Sequence, residues 1–114
     1  MTIIDIILTK SNPKPIIIIQ SDEGHYARGY SYSEPNLLKY SAEQLKYKFA
    51  IFNAYYFPDV DQNELYPTIT PVNSFRLLFN TYFGQNYEML ERKHFNKNYY
   101  KYYKFLDVTA KITN

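Results

Sequence analysis

Asp22, Glu23 and His25 are the residues whose types and spacing come nearest to a reactive set. Two adjacent carboxylates offer oxygen ligands to a hard divalent cation. Gly24 would let the backbone turn sharply beside them, and His25 could join a metal site or shuttle a proton. The same residues also suit a polar turn with solvated acids and an exposed histidine, which is their commoner use. His94, the only other histidine, follows the charged stretch Glu91 to Lys93 and carries no local signal. No serine lies in a Gly-x-Ser-x-Gly elbow. The three glycines are too scattered for a phosphate-binding loop or a dinucleotide fingerprint. No catalytic residue and no organic-cofactor residue is assigned.

A second pattern lies near the end of the chain, where Lys93, Lys97, Lys101 and Lys104 interleave with Tyr99, Tyr100, Tyr102 and Tyr103. Basic and aromatic residues together can hold single-stranded nucleic acid through phosphate contact and base stacking. Glu88, Glu91 and Asp107 flank the stretch, and it matches no RNA-recognition signature. A solvated strand is the plainer reading, so nucleic acid ranks last among the partners considered.

The composition sets bounds on both patterns. The 114 residues suffice for one small domain. With 46% hydrophobic and 21% charged residues, a folded core is expected. The 14 Tyr and 8 Phe rise together with Ile, Lys and Asn, as in an AT-rich coding sequence. A net charge of +2 does not by itself point to nucleic acid or to an anionic membrane. Cysteine is absent, which excludes disulfides and thiolate metal sites. No apolar run approaches the roughly 20 residues that span a bilayer, and the amino terminus lacks the pattern of a secretory signal. The expectation is a soluble chain with no membrane segment and no export signal of its own.

The elements that would position these residues follow from periodicity and turn signals. Ile3, Ile4, Ile7 and Leu8 lie at helical spacing within Thr2 to Ser11, although β-branched residues weaken a helix. Asn12 to Pro15 break the chain. Ile16 to Ile19 then read as a strand buried on both faces, as in a parallel sheet, with Asp22 and Glu23 after its carboxyl end. A long loop with Gly29 and Pro35 is expected over His25 to Tyr40, and a short helix over Ala42 to Lys48. Phe49 to Phe57 reads as a second buried strand. Thr70 as N-cap, Pro71 at the first helical position and Gly84 as stop predict a helix over Pro71 to Phe83. Its apolar stripe is Val72, Phe75, Phe79 and Phe83, with Leu78 and Tyr82 alongside. Arg76 and Asn80, one turn apart, are placed to hydrogen-bond to neighbouring elements. Tyr99 to Tyr103 and Phe105 to Val108 read as short strands or an extended tail.

Three stretches in order, supported by the ending Phe105 to Thr109, carry a resemblance. They are Pro15 to Gly24 (PIIIIQSDEG), Phe49 to Pro58 (FAIFNAYYFP) and Leu65 to Gly84 (LYPTITPVNSFRLLFNTYFG). Together they resemble the last portion of sulfatase-like membrane proteins of the alkaline phosphatase superfamily, over nearly the whole chain. The resemblance implies an α/β fold: a partial mixed, largely parallel sheet with flanking helices, residues 1–114 forming one partial domain. It also implies metal-assisted attack on a sulfate or phosphate ester. Asp22 falls on the Asp, and Glu23 on the His, of the family's Asp-His-Gly metal motif. Glu23 departs from that motif and would alter charge and metal preference. The metal would be Mn, Mg, Ca or Zn.

The nucleophile and the remaining ligands of that family lie in an amino-terminal portion that this chain lacks. The resemblance therefore implies a carboxyl-terminal fragment of a hydrolase or phosphotransferase, inactive alone. Its partner would be the missing part of the domain or another protein chain, and its relatives are membrane-anchored with an extracytoplasmic domain. The alternative is a noncatalytic interaction module or split-gene subunit that docks another chain through surface left uncovered. Apolar faces exposed in this way would make the isolated chain oligomeric or poorly soluble.

Overall fold

Capping residues start three of the helices in the computed structural model, which describes residues 2–31, 36, 39–98 and 100–113. Helix α1 (Ile3–Lys10) begins on Thr2, whose hydroxyl accepts from the Asp5 N–H at 3.2 Å while the Asp5 carboxylate accepts from the Thr2 N–H at 2.7 Å. Two otherwise orphaned donors are thereby satisfied, and these bonds hold the Asp5 carboxyl below its ordinary range. Helix α2 (Ala42–Phe49) repeats the device with Ser41 and Gln44. Helix α3 (Pro71–Phe83) has Thr70 as N-cap, Pro71 in its first turn and Gly84 at φ 64°, the left-handed stop. A short helix α4 (Thr109–Thr113) ends the described chain. The helices expected over the amino-terminal segment, Ala42 to Lys48 and Pro71 to Phe83 are thus all present. None of the described helices is long and apolar enough to cross a membrane.

The expected sheet is not. Among the described residues, strand β1 (Ile17–Gln20) pairs only with β2 (Asn53–Tyr56), and β3 (Phe95–Asn98) pairs only with β4 (Lys101–Asp107). Both two-stranded sheets are antiparallel. This overturns the α/β reading of a partial mixed, largely parallel sheet with flanking helices. A strand buried on both faces needs a neighbour on each side and cover above and below. In β1 and before it, Ile16 and Ile19 are exposed and Ile17 and Ile18 only half-buried. A run of isoleucine states that a strand is favoured, not how many neighbours it has. The second expected strand also shortens: Phe49 belongs to the end of α2, and only Asn53–Tyr56 is strand. In the tail, Tyr99 falls outside the described residues, as does Pro35 of the long loop.

Contacts divide the chain into two units. The first comprises Met1–Ile19 and Asn53–Glu91. Its buried apolar residues are Phe57, Ile69, Leu77 and Leu78. Tyr82 meets Phe57 edge to face, and its hydroxyl accepts from the Asp59 N–H at 3.2 Å. The second comprises Gln20–Phe52 and Arg92–Asn114. Its core is Tyr40, Leu45 and Val108, covered by Tyr30, Phe49, Leu106 and Ile112. Leu45 and Phe49 stand one turn apart on α2, so the helix offers one apolar side to α4 and β4.

Candidate functional site

The turn after β1 holds the carboxylate pair. Asp22 is exposed, and its Oδ1 accepts from the Glu23 N–H at 2.9 Å. Glu23 is half-buried and close enough to Tyr30 for its charge to act on that hydroxyl. His25 faces the ring of Tyr47 at 4.9 Å between centroids. Among the described residues no group of three or more His, Asp or Glu side chains converges as a cation would need. The pair thus supplies at most two ligands from adjacent positions, short of the six or more oxygens that Ca2+ gathers or the four ligands of Zn2+. Gly24 has a structural reason of its own. Its N–H donates to the Lys48 carbonyl at 2.8 Å, and a Cβ at this position would collide with the Tyr47 carbonyl oxygen.

Beside this turn the second unit collects aromatic rings. Tyr30 stacks on Tyr40 with centroids 4.4 Å apart and planes at 15°, and Tyr26 tilts against Tyr30 at 4.9 Å. Lys48 Nζ donates to the Tyr30 hydroxyl at 2.6 Å, and the Tyr40 hydroxyl donates to the Ser31 carbonyl. Burial pushes the Tyr30 hydroxyl up, with the Glu23 carboxylate adding to the rise; the nearby Asn96 amide and Tyr40 hydroxyl oppose it. Asn96, on β3, is itself fully buried, and among the described residues neither amide atom reaches hydrogen-bond geometry.

His94 proves more embedded than its sequence context suggests. Its Nε2 accepts from Arg92 Nε at 3.1 Å, its ring meets Phe49 edge-on, and its N–H donates to Thr109 Oγ1 at 2.8 Å. Burial and then the Arg92 charge hold its pKa below the ordinary value, against the pull of Asp107. An imidazole accepting at Nε2 is neutral, which agrees with that direction. His25 and His94 belong to different surroundings and form no pair.

In the first unit the polar residues of α3 do mechanical work. Asn73 Nδ2 donates to the Leu90 carbonyl and its Oδ1 accepts from the Leu90 N–H, both at 2.9 Å. Asn80 repeats this grip on Tyr87, at 2.9 and 2.7 Å. Between them Arg76 Nη1 donates to the Glu88 carbonyl at 2.9 Å and lies over the Tyr87 ring. The expected partners of Arg76 and Asn80 are therefore the backbone of the extended segment after the helix. Asn73 was not anticipated, although its spacing of three and seven residues from Arg76 and Asn80 marks one stripe of the helix.

Burial along α3 falls on the side next to this polar stripe. Asn73, Ser74, Leu77 and Leu78 are buried. Val72, Phe75, Phe79 and Phe83, the apolar stripe read from the sequence, are 53, 40, 40 and 60% exposed. The Phe79 ring meets the partly open rings of Phe83 at 5.6 Å and Tyr87 at 6.3 Å between centroids. Comparison of the chain with family models, curated proteins and solved structures gives no match. The comparisons thus add no relative to the sulfatase-like resemblance.

Proposed function

We propose that this chain is a noncatalytic interaction module that docks another protein chain through the exposed side of α3. One observation carries the reading: four large apolar residues, Val72, Phe75, Phe79 and Phe83, stand on one side of a well-capped helix and remain 40 to 60% exposed. Soluble monomers seldom leave such residues contiguous, and a contiguous apolar patch marks an interaction surface. Burying each side chain fully is worth about 1.5–3 kcal/mol relative to leaving it in water. The polar stripe of α3 is already committed to the segment 87–90, which keeps the aromatic stripe turned outward.

Without another partner the patch meets a second copy of itself. Light scattering coupled to size-exclusion chromatography is expected to give a mass above 13.7 kDa that rises with concentration. Phe75→Asp with Phe79→Asp is expected to return the monomer. A sharp, concentration-independent monomer of the unaltered chain with cooperative melting overturns the reading.

A second reading, the sulfatase-like fragment, has one observation in its favour: Asp22 and Glu23 occupy the turn that ends β1. It requires the remaining ligands from another chain. Calorimetric titration with Mn2+ in the presence of such a chain, lost on Asp22→Asn, would support it over the first.

A further inference from the structure

The β3–β4 hairpin of the second unit has two unlike faces. Asn96 pairs with Leu106, and these face inward, buried and half-buried. Alternation along a strand sends their neighbours to the other side. Lys97 pairs with Phe105 and Phe95 with Asp107, and Phe95, Lys97 and Phe105 are all exposed. Residues directly opposite share a face, and the diagonal pair Phe95 and Phe105 lies about 7–8 Å apart in such a ladder. Toward the turn the register shifts: Asn98 pairs with Lys101, so Tyr102, Tyr103 and Lys104 are extra on β4. A bulge of this kind re-aims side chains, and Tyr103 is 96% exposed.

The charge on this hairpin is mainly basic, with Asp107, opposite Phe95, the one carboxylate on its strands. Between Glu91 and Asp107 the chain has Arg92, Lys93, Lys97, Lys101 and Lys104 and no acidic residue. Lys97, Lys101 and Lys104 are exposed, as are the rings of Phe95, Tyr103 and Phe105. We propose that the outward face and bulge of this hairpin bind single-stranded nucleic acid. Lys97 on that face, Lys104 on the bulge and Lys101 at the exposed end of the hairpin, opposite Asn98, take the phosphates, while Phe95, Tyr103 and Phe105 offer flat faces to the bases. Sequence alone ranks this partner last because Glu88, Glu91 and Asp107 flank the stretch and no RNA-recognition signature matches. The register puts Lys97 opposite Phe105 on one face. Alternating lysines and separate rings suit a strand of stacked bases better than a membrane, which needs a continuous apolar wedge. A duplex hides the base faces, so it gains only the phosphate contacts. This surface is independent of α3 and of the reading built on it.

The test is fluorescence anisotropy of the 114-residue chain with labelled oligothymidylate and oligouridylate of about 20 nucleotides. Three phosphate contacts predict a slope of log K against log salt near −2, or roughly 16-fold weaker binding between 50 and 200 mM salt. Tyr103→Ala is expected to weaken binding about tenfold with an unchanged circular dichroism spectrum, since its ring is almost wholly in solvent. Lys97→Glu with Lys101→Glu is expected to abolish binding. The proposal fails if neither oligonucleotide binds at low salt. It also fails if a duplex binds as tightly with no effect of Tyr103→Ala, or if polyglutamate competes equally well. Binding to phosphatidylserine vesicles without binding to oligonucleotide assigns the face to membranes and overturns it too. The two oligonucleotides separate DNA from RNA.

Discussion

Asn73 on α3 and Asn96 on β3 are both 1% exposed, one in each unit, yet their surroundings differ. The Asn73 amide closes two 2.9 Å hydrogen bonds with the Leu90 backbone and reaches the Tyr66 hydroxyl at 3.4 Å. Among the described residues the Asn96 amide closes none, although it lies near enough to Tyr30 to act on that hydroxyl. A buried polar group is held against its desolvation by its partners. Asn73 is therefore a fastener of the first unit, whereas Asn96 is a cost to the second. The second unit offsets that cost with apolar packing around Tyr40, Leu45 and Val108 and with tight backbone contact at Gly24. One unit is fastened by side-chain amides gripping an extended segment; the other is closed by packing.

The largest effect is expected where packing closes the second unit. Gly24→Ala forces a methyl group against the carbonyl ends of α2, including Lys48 and Ala50 oxygens at 2.8 and 2.9 Å. Backbone must move to admit it, so a loss of about 3 kcal/mol is expected in urea unfolding. An unaltered midpoint would show that the glycine turn is loose and break the contrast. Next comes the same substitution made at both asparagines. Asn73→Leu leaves the Leu90 backbone without its side-chain partner and is expected to cost about 2 kcal/mol. Asn96→Leu removes an unpartnered amide and is expected to be neutral or to stabilise by about 1 kcal/mol. Equal losses at the two sites would mean that Asn96 is served by a bridging water, detectable as a slowly exchanging proton signal.

The smallest effect sharpens the comparison within the second unit, through His94. Its neutral ring is favoured in the fold, so it takes a proton at lower pH when folded than its ordinary 6.5. Between the two values the unfolded chain holds the extra proton. Stability is complete above 6.5, falls as pH drops below it, and levels off beneath the folded value. Asp107 behaves oppositely in origin: Thr109 holds its carboxyl below 3.8, so its contribution is intact above that pH and is lost only as pH falls through the folded value. Unfolding midpoints at about pH 5 and 7.5 therefore isolate the histidine. His94→Gln is expected to flatten the difference; an unchanged slope would mean that another group carries it.

Local order was legible in the chain because its causes are local. Thr2 with Asp5, Ser41 with Gln44, and Thr70 with Pro71 and Gly84 are contacts within a few residues, and the helices begin and end as those residues require. Ile16 to Ile19 announced a strand for the same reason. What covers a strand or a helix is decided by residues far away. Nothing local to the isoleucines states that β1 has a single antiparallel neighbour, and nothing local to Phe75 and Phe79 states that Asn73 and Asn80 will hold the segment 87–90 and turn those rings outward. The lysine and tyrosine tail gives the same lesson. Composition supplied the charge and the rings, while the pairing of Lys97 with Phe105 and the register shift beside it decided which face they share. Helix starts and stops depend on backbone hydrogen bonds a turn apart. Faces, neighbours and sites depend on long-range packing, which a periodic pattern permits without choosing.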